Sequence, residues 1–147
     1  ASVNDCINST LVVMKSVTKG EVIISKELEE ELPLISCYPG KLNQVFMNIL
    51  SNAADAIAGE GLITVKTYAE GANVFIRITD TGKGMTPAVA QSVFRPGFTT
   101  KARGWGLGLS LSQRIAHEQH GGRLVVLRTA PGIGTTFRLT LREVPAP

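Results

Sequence analysis

The sequence is short of several things, and each shortage excludes something. Cysteine occurs only twice in 147 residues. Cys6 and Cys37 stand in apolar sequence without metal-ligand spacing and read as reduced core thiols of a cytosolic protein. The longest apolar runs, "TLVVM" and "LVVL", are too short to span a membrane, and no signal peptide is recognisable. The net charge is only +3. Lys83, Lys101, Arg103 and Arg123 are scattered without interleaved aromatics, which argues against a nucleic-acid partner. Charged residues make up 18% beside 44% hydrophobic ones, a balance that folds rather than staying disordered.

The length suits a single domain over 1–147, with one substantial core and a loose tail at 143–147. Residues 2–18 read as a helix started near Ser2 or Asp5, with Ile7, Leu11 and Met14 at helical spacing. "EVIISKEL" (21–28) and "LPLISCY" (32–38) read as two short strands, and Pro39-Gly40 breaks the chain before a long helix at 40–58. The alternating runs "LITVKTYAE" and "NVFIRITD" make a hairpin across Gly71-Ala72. Residues 82–105 form a long Gly-, Thr- and Pro-rich segment around one short helix at 87–93, and loops of that length are usually functional. A helix at 107–119 stops at Gly121-Gly122, and "RLVVLRTA" and "GTTFRLTLRE" form the last hairpin. The order α-β-β-α-β-β-loop-α-β-β predicts an α+β two-layer sandwich, a mixed sheet with helices on one face.

Three stretches carry candidate chemistry. In "KLNQVFMNILSNAADAI", Leu42, Val45, Phe46, Ile49, Leu50, Ala53 and Ile57 make one apolar stripe, with Gln44, Asn48, Asn52 and Asp55 opposite. Asn weakens a helix interior. The row is therefore either a solvated face or a set of oxygen ligands over a cleft, such as Mg²⁺ accepts. "KARGWGLGLSLSQRIAHEQ" places Gly104, Gly106 and Gly108 before or inside the first turn of a helix, where unpaired amides favour an anion. Lys101 would add a point charge there; a flexible loop is the alternative.

The third stretch, "ITDTGKGM", has two readings. Asp80-Thr81-Gly82 spells half of an aspartic protease site, in which two carboxylates about 3 Å apart share a proton. Lys83 would put an ammonium beside that dyad, and the long helix and the glycine-opened helix would have no role. Alternatively, Asp80 at a strand end accepts a hydrogen bond from an exocyclic amine, while Gly82 and Gly84 let the backbone approach a flat base. Such a contact favours adenine over guanine, which presents a carbonyl there. This second reading uses all three stretches. The P-loop, the Rossmann fingerprint in its βαβ setting, and the His-Arg-Asp and Asp-Phe-Gly signatures are absent.

Together the segments resemble the catalytic ATP-binding domain of sensor histidine kinases, in the superfamily shared with DNA gyrase B, MutL and the heat-shock chaperones. "NQVFMNILSNAADAI" resembles the N-box, "DTGKGM" the first glycine box, "VFRPGFTTK" the F-box, "GWGLGLSL" the second glycine box, and "GIGTTF" completes the set. "NAADAI", "FTTK" and "GLGLSLSQRIAHEQHGG" are most similar to nitrogen-regulator-type kinases.

The resemblance implies a mixed five-stranded sheet backed by three helices, with ATP and Mg²⁺ as cofactors. It implies γ-phosphoryl transfer to a histidine on a separate dimerisation domain, for relay to a response regulator. By position it makes Asn52 the Mg²⁺ ligand, Asp80 the adenine-reading carboxylate, Lys101 the lysine near the phosphates, and Gly104, Gly106 and Gly108 the lid glycines. Nucleotide contacts are further implied for Asp55, Gly82, Gly84, Met85, Phe94, Thr99, Thr100, Leu107, Leu109 and Thr135. ATP-hydrolysing relatives carry a Glu at the position of Asn48, whose amide cannot take a proton. The catalytic set Asn48, Asn52 and Lys101 would then act by position and electrostatics.

Neither His117 nor His120 suits the phosphoacceptor; His120, before Gly121-Gly122, suits the helix C-terminus better. Trp105 and Gly97 depart from the family pattern within the lid. The isolated domain is expected to be a monomer without direct membrane contact, and the full-length protein a homodimer. The alternative from another class is an ATP-gated binding module without phosphotransfer.

Overall fold

The structure, a computed structural model, describes residues 2–14, 22–35, 37–95 and 108–142. Its elements are α1 (Val3–Met14), β1 (Val22–Leu28), α2 (Pro39–Ala56), β2 (Gly61–Glu70), β3 (Asn73–Asp80) and α3 (Pro87–Ser92). Then come α4 (Gly108–Arg114), continued by a π-helical turn (Ile115–Gln119), β4 (Arg123–Ala130) and β5 (Gly134–Arg142). The five strands form one sheet in the order β1-β2-β3-β5-β4. β1 runs parallel to β2, and the other neighbours are antiparallel.

Pro39 opens α2, where a missing N–H leaves no bond unmade. The predicted stripe is buried from Leu42 to Ala53; each large apolar side chain so buried contributes about 1.5–3 kcal/mol. Strand residues alternate to meet it. Ile63 and Val65, Ile76 and Ile78, Leu124, Phe137 and Leu139 share one core with α1, α2 and Ile115. The core-forming helices therefore lie on one face of a mixed five-stranded sheet, the two-layer arrangement that the element order predicts.

The described residues of "LPLISCY" do not form a strand. Among them only Ile35 makes an isolated bridge and is buried, whereas Leu34 and Tyr38 are largely exposed. Pro33 cannot donate to a ladder. The predicted helix at 107–119 is α-helical only to Arg114. Its end is set by Gly121 at φ +61°, with the Gly122 N–H donating to Ala116 O at 2.8 Å. His120 serves that end as expected: its Nδ1 lies 3.0 Å from Ile115 O. Its Nε2 accepts the Tyr38 N–H at 3.0 Å, which places the ring proton on Nδ1. Both cysteines are free, Cys6 buried and Cys37 half-buried. Among the described residues, no helix is long and apolar enough to cross a membrane.

Candidate functional site

Asp80 ends β3 on the core side of the sheet, opposite Ile63 on β2 and Thr135 on β5. Its side chain is only 3% exposed. Oδ1 accepts the Gly82 N–H at 2.8 Å. Burial pushes the carboxyl above the ordinary Asp range, and the backbone N–H groups of Gly82 and Thr135 oppose that rise without cancelling it. A carboxylate in this state is stabilised by any further donor.

The turn after Asp80 is wedged between two elements. Lys83 N–H donates to Ala56 O at the end of α2, and Gly132 N–H donates to Lys83 O from the β4–β5 turn. A Cβ at Gly82 would lie 2.5 Å from Ala56 O, and one at Gly84, whose φ is +68°, 1.9 Å from Ala130 O. These contacts give the glycines a role beside the expected approach of a base. The atoms that approach them are the protein's own backbone, and their first effect is to fix the turn that carries Asp80.

Beside it, Met85 N–H donates to Thr129 Oγ1 at 2.9 Å, and Thr129 Oγ1 lies 2.8 Å from Thr135 Oγ1. Thr135 is buried. Phe94 packs edge-on to Phe137 with ring centroids 6.2 Å apart, and Met85, Phe94 and Leu109 all rest against the core.

The polar row of α2 divides. Gln44 and Asp55 are exposed, whereas Asn48 and Asn52 are half-buried. Asn48 Nδ2 donates to Gly108 O at 3.2 Å and to Ser112 Oγ at 3.0 Å, and Ser112 Oγ donates to Gly108 O at 2.8 Å. Asn48 thus pins the first turn of α4 to α2. Asn52, one turn on, makes no side-chain hydrogen bond to any described residue. Its amide oxygen is a neutral hard donor, of the kind Mg²⁺ takes singly.

The structure thus gathers Asp80, Gly82, Gly84, Met85 and Thr135 at one end, and Asn48 and Gly108 at the α2–α4 contact. Thr99, Thr100, Lys101, Gly104, Gly106 and Leu107, with Gly97, Arg103 and Trp105, lie outside the described residues. Two participants went unnoticed in the sequence. Ser112 stands one turn after Gly108 in α4, and Thr129 faces Thr135 across the last hairpin; both signals are spacings that depend on a distant partner.

Comparison with known proteins points the same way. The family described as histidine kinase-, DNA gyrase B-, and HSP90-like ATPase matches residues 37–145. The sensor histidine kinase ZraS of Escherichia coli K12 is 40% identical over 139 residues, 94% of this chain and 30% of its own length. The chain thus spans under a third of that relative. The nucleotide-free catalytic domain of histidine kinase ThkA superposes with a TM-score of 0.86 at 24% identity, covering 97% of this chain and 93% of its own. Full-length ShkA in complex with AMPPNP gives 0.80 at 25% identity, covering 99% and 31%.

Proposed function

We propose, for a chain that belongs to the histidine kinase-, DNA gyrase B- and HSP90-like ATPase family, that it is the ATP-binding catalytic domain of a two-component sensor histidine kinase. The observation that carries this reading is Asp80, a buried carboxylate held by a glycine turn at a strand end, with its charged form short of donors. An adenine amino group supplies such a donor, and guanine does not.

The phosphates then lie toward α2 and α4, where Asn52 would hold Mg²⁺, which when bound neutralises phosphate charge. By the family resemblance, Lys101, Thr99, Thr100, Gly104, Gly106 and Leu107, outside the described residues, would serve the phosphates. Asn48 cannot act as a base on water, because an amide does not take a proton; its Nδ2 donates instead to Gly108 and Ser112. The site therefore favours orderly transfer over hydrolysis. The γ-phosphoryl group passes to a histidine on a separate dimerisation domain, and from there to a response regulator. The domain itself is monomeric and cytoplasmic within a homodimeric protein, and ZraS is a sensor histidine kinase by name.

The test supplies γ-labelled ATP and a separate histidine-bearing helical hairpin from a sensor kinase. Label on the histidine, dependent on this chain, is the expected result. ATP bound tightly with no transfer would instead make the chain an ATP-gated binding module, and absence of ATP binding would sink both readings.

A further inference from the structure

The sheet face turned away from the core carries a chemistry that the candidate site does not use. One rung crosses four strands in register: Glu27 beside Lys66, Lys66 opposite Arg77, and Arg77 opposite Arg138. These positions alternate with the buried residues Val65, Ile76, Ile78, Phe137 and Leu139, so they point outward. Neighbouring strands are about 4.8 Å apart, so the three cations form a row roughly 10 Å long.

Like charges placed directly opposite one another destabilise a sheet. Yet among the described residues none of the three pairs with a carboxylate. Aromatic rings of the adjacent rung hold them instead. The Arg77 guanidinium lies 5.4 Å from the Tyr68 ring centre, and its Nε donates to Tyr68 Oη at 3.1 Å. The Arg138 guanidinium lies 5.4 Å from the Phe75 ring centre, and its buried Nε has no acceptor. Tyr68 and Phe75 are stacked, with ring centroids 5.1 Å apart. The rings position the charges without neutralising them. In these three strands the rung on the other side is Thr64, Thr79 and Thr136, which is neutral.

We infer that this row is a docking site for an acidic helix of a protein partner. Carboxylates at positions i, i+4 and i+7 share one helix face, about 5–6 Å between neighbours, and seven residues rise about 10.5 Å. That matches three cations one strand apart. Carboxylates also suit the forked guanidinium donors. The row ends at the acidic Glu27 on the β1 side and is joined on the β4 side by exposed Arg123 and Arg128 in the two adjoining rungs. The fixed one-strand spacing of its three cations is what a single helix face of carboxylates meets. The row faces away from Asp80, which points into the core side, so docking leaves nucleotide binding free.

The test is an NMR titration of the chain with a synthetic helical peptide bearing Glu at i, i+4 and i+7. A matched peptide with Gln at those positions serves as control. The Glu peptide should shift the amides of Lys66, Arg77 and Arg138 and bind at least tenfold tighter than the Gln peptide, the difference shrinking with added salt. Arg77→Gln with Arg138→Gln should weaken the Glu peptide at least tenfold while ATP affinity is unchanged. Lys66→Gln, at an exposed position, should weaken it about threefold. Equal binding of the two peptides, or shifts confined to other strands, would overturn the proposal. So would tighter binding of anionic lipid vesicles or duplex DNA than of the Glu peptide. ATP is not needed for the titration, so its outcome is independent of the kinase reading.

Discussion

α2 supports the candidate site at two places, and the two supports are built on opposite logic. At its C-terminal end, Ala56 O receives Lys83 N–H, and the turn carrying Asp80 fits only because Gly82 and Gly84 lack side chains. In mid-helix, the Asn48 side chain reaches across to Gly108 and Ser112. The first support depends on missing atoms and the second on present ones. Adding atoms to the first leaves them nowhere to go, whereas altering the second breaks bonds but leaves the packing intact. The glycine side should therefore be the more brittle of the two.

Gly84→Val tests that difference at its largest. The new Cβ would fall on Ala130 O, at a backbone φ of +68° that a β-branched residue avoids. The expected loss is about 3 kcal/mol or more, combining backbone strain with overpacking, read from the urea midpoint. A loss under about 1 kcal/mol would show that the turn yields, and the contrast with Asn48 would fail.

Asp80→Asn separates what the turn holds from how it is held. Adenine nucleotide affinity should fall about 100-fold, roughly the strength of one charge-assisted hydrogen bond. Stability should move the other way. Because the folded-state pKa of Asp80 is raised, its contribution to folding is greatest below the unfolded-state pKa and declines as pH rises through the folded value. Without nucleotide, the Asn variant should therefore melt above the parent at neutral pH. The gap should close as pH falls toward the range in which Asp80 is protonated. Thermal melts at acid and neutral pH check this, and a lower melting temperature at neutral pH would contradict it.

Asn48→Glu attacks the second support. A carboxylate is an acceptor only, and it would face Gly108 O, whose other donor is Ser112 Oγ. The expected cost is about 2 kcal/mol, with no gain in ATP hydrolysis, since the new group is set against α4. Faster hydrolysis at unchanged stability would return this position to a role at the phosphates.

The sequence shows one of these supports better than the other, for a physical reason. The glycine turn is local: an alternating strand, an Asp and two spaced glycines lie within a few residues, so Asp80 and its setting are visible before any fold is known. The apolar stripe of α2 and the two hairpins are legible on the same grounds. The Asn48 pin joins residues 60 and 64 positions apart, and no local period encodes that. Asn48 therefore reads as a cleft residue until α4 is placed beside it. "LPLISCY" misleads in the opposite sense, because its apolar letters include Leu34 and Tyr38, which remain exposed. The cation row is a third case. Lys66, Arg77 and Arg138 are isolated in the chain, and only the register of β2, β3 and β5 aligns them.

Ser112→Ala is the smallest and sharpest probe of the second support. Ser112 is fully buried, accepts from Asn48 and donates to Gly108 O. Removing its hydroxyl leaves Asn48 Nδ2 still bonded to Gly108 O, so about 1 kcal/mol should be lost. The informative quantity is the coupling with Asn48→Ala. If the three groups act as one pin, the double variant should lose less than the sum of the two single losses, by at least about 0.5 kcal/mol. Additive losses would mean that Ser112 merely satisfies its own helix and that Asn48 holds α4 through Gly108 alone. In either case Gly84→Val should remain the costlier change, because a missing bond can be replaced by relaxation and an occupied volume cannot.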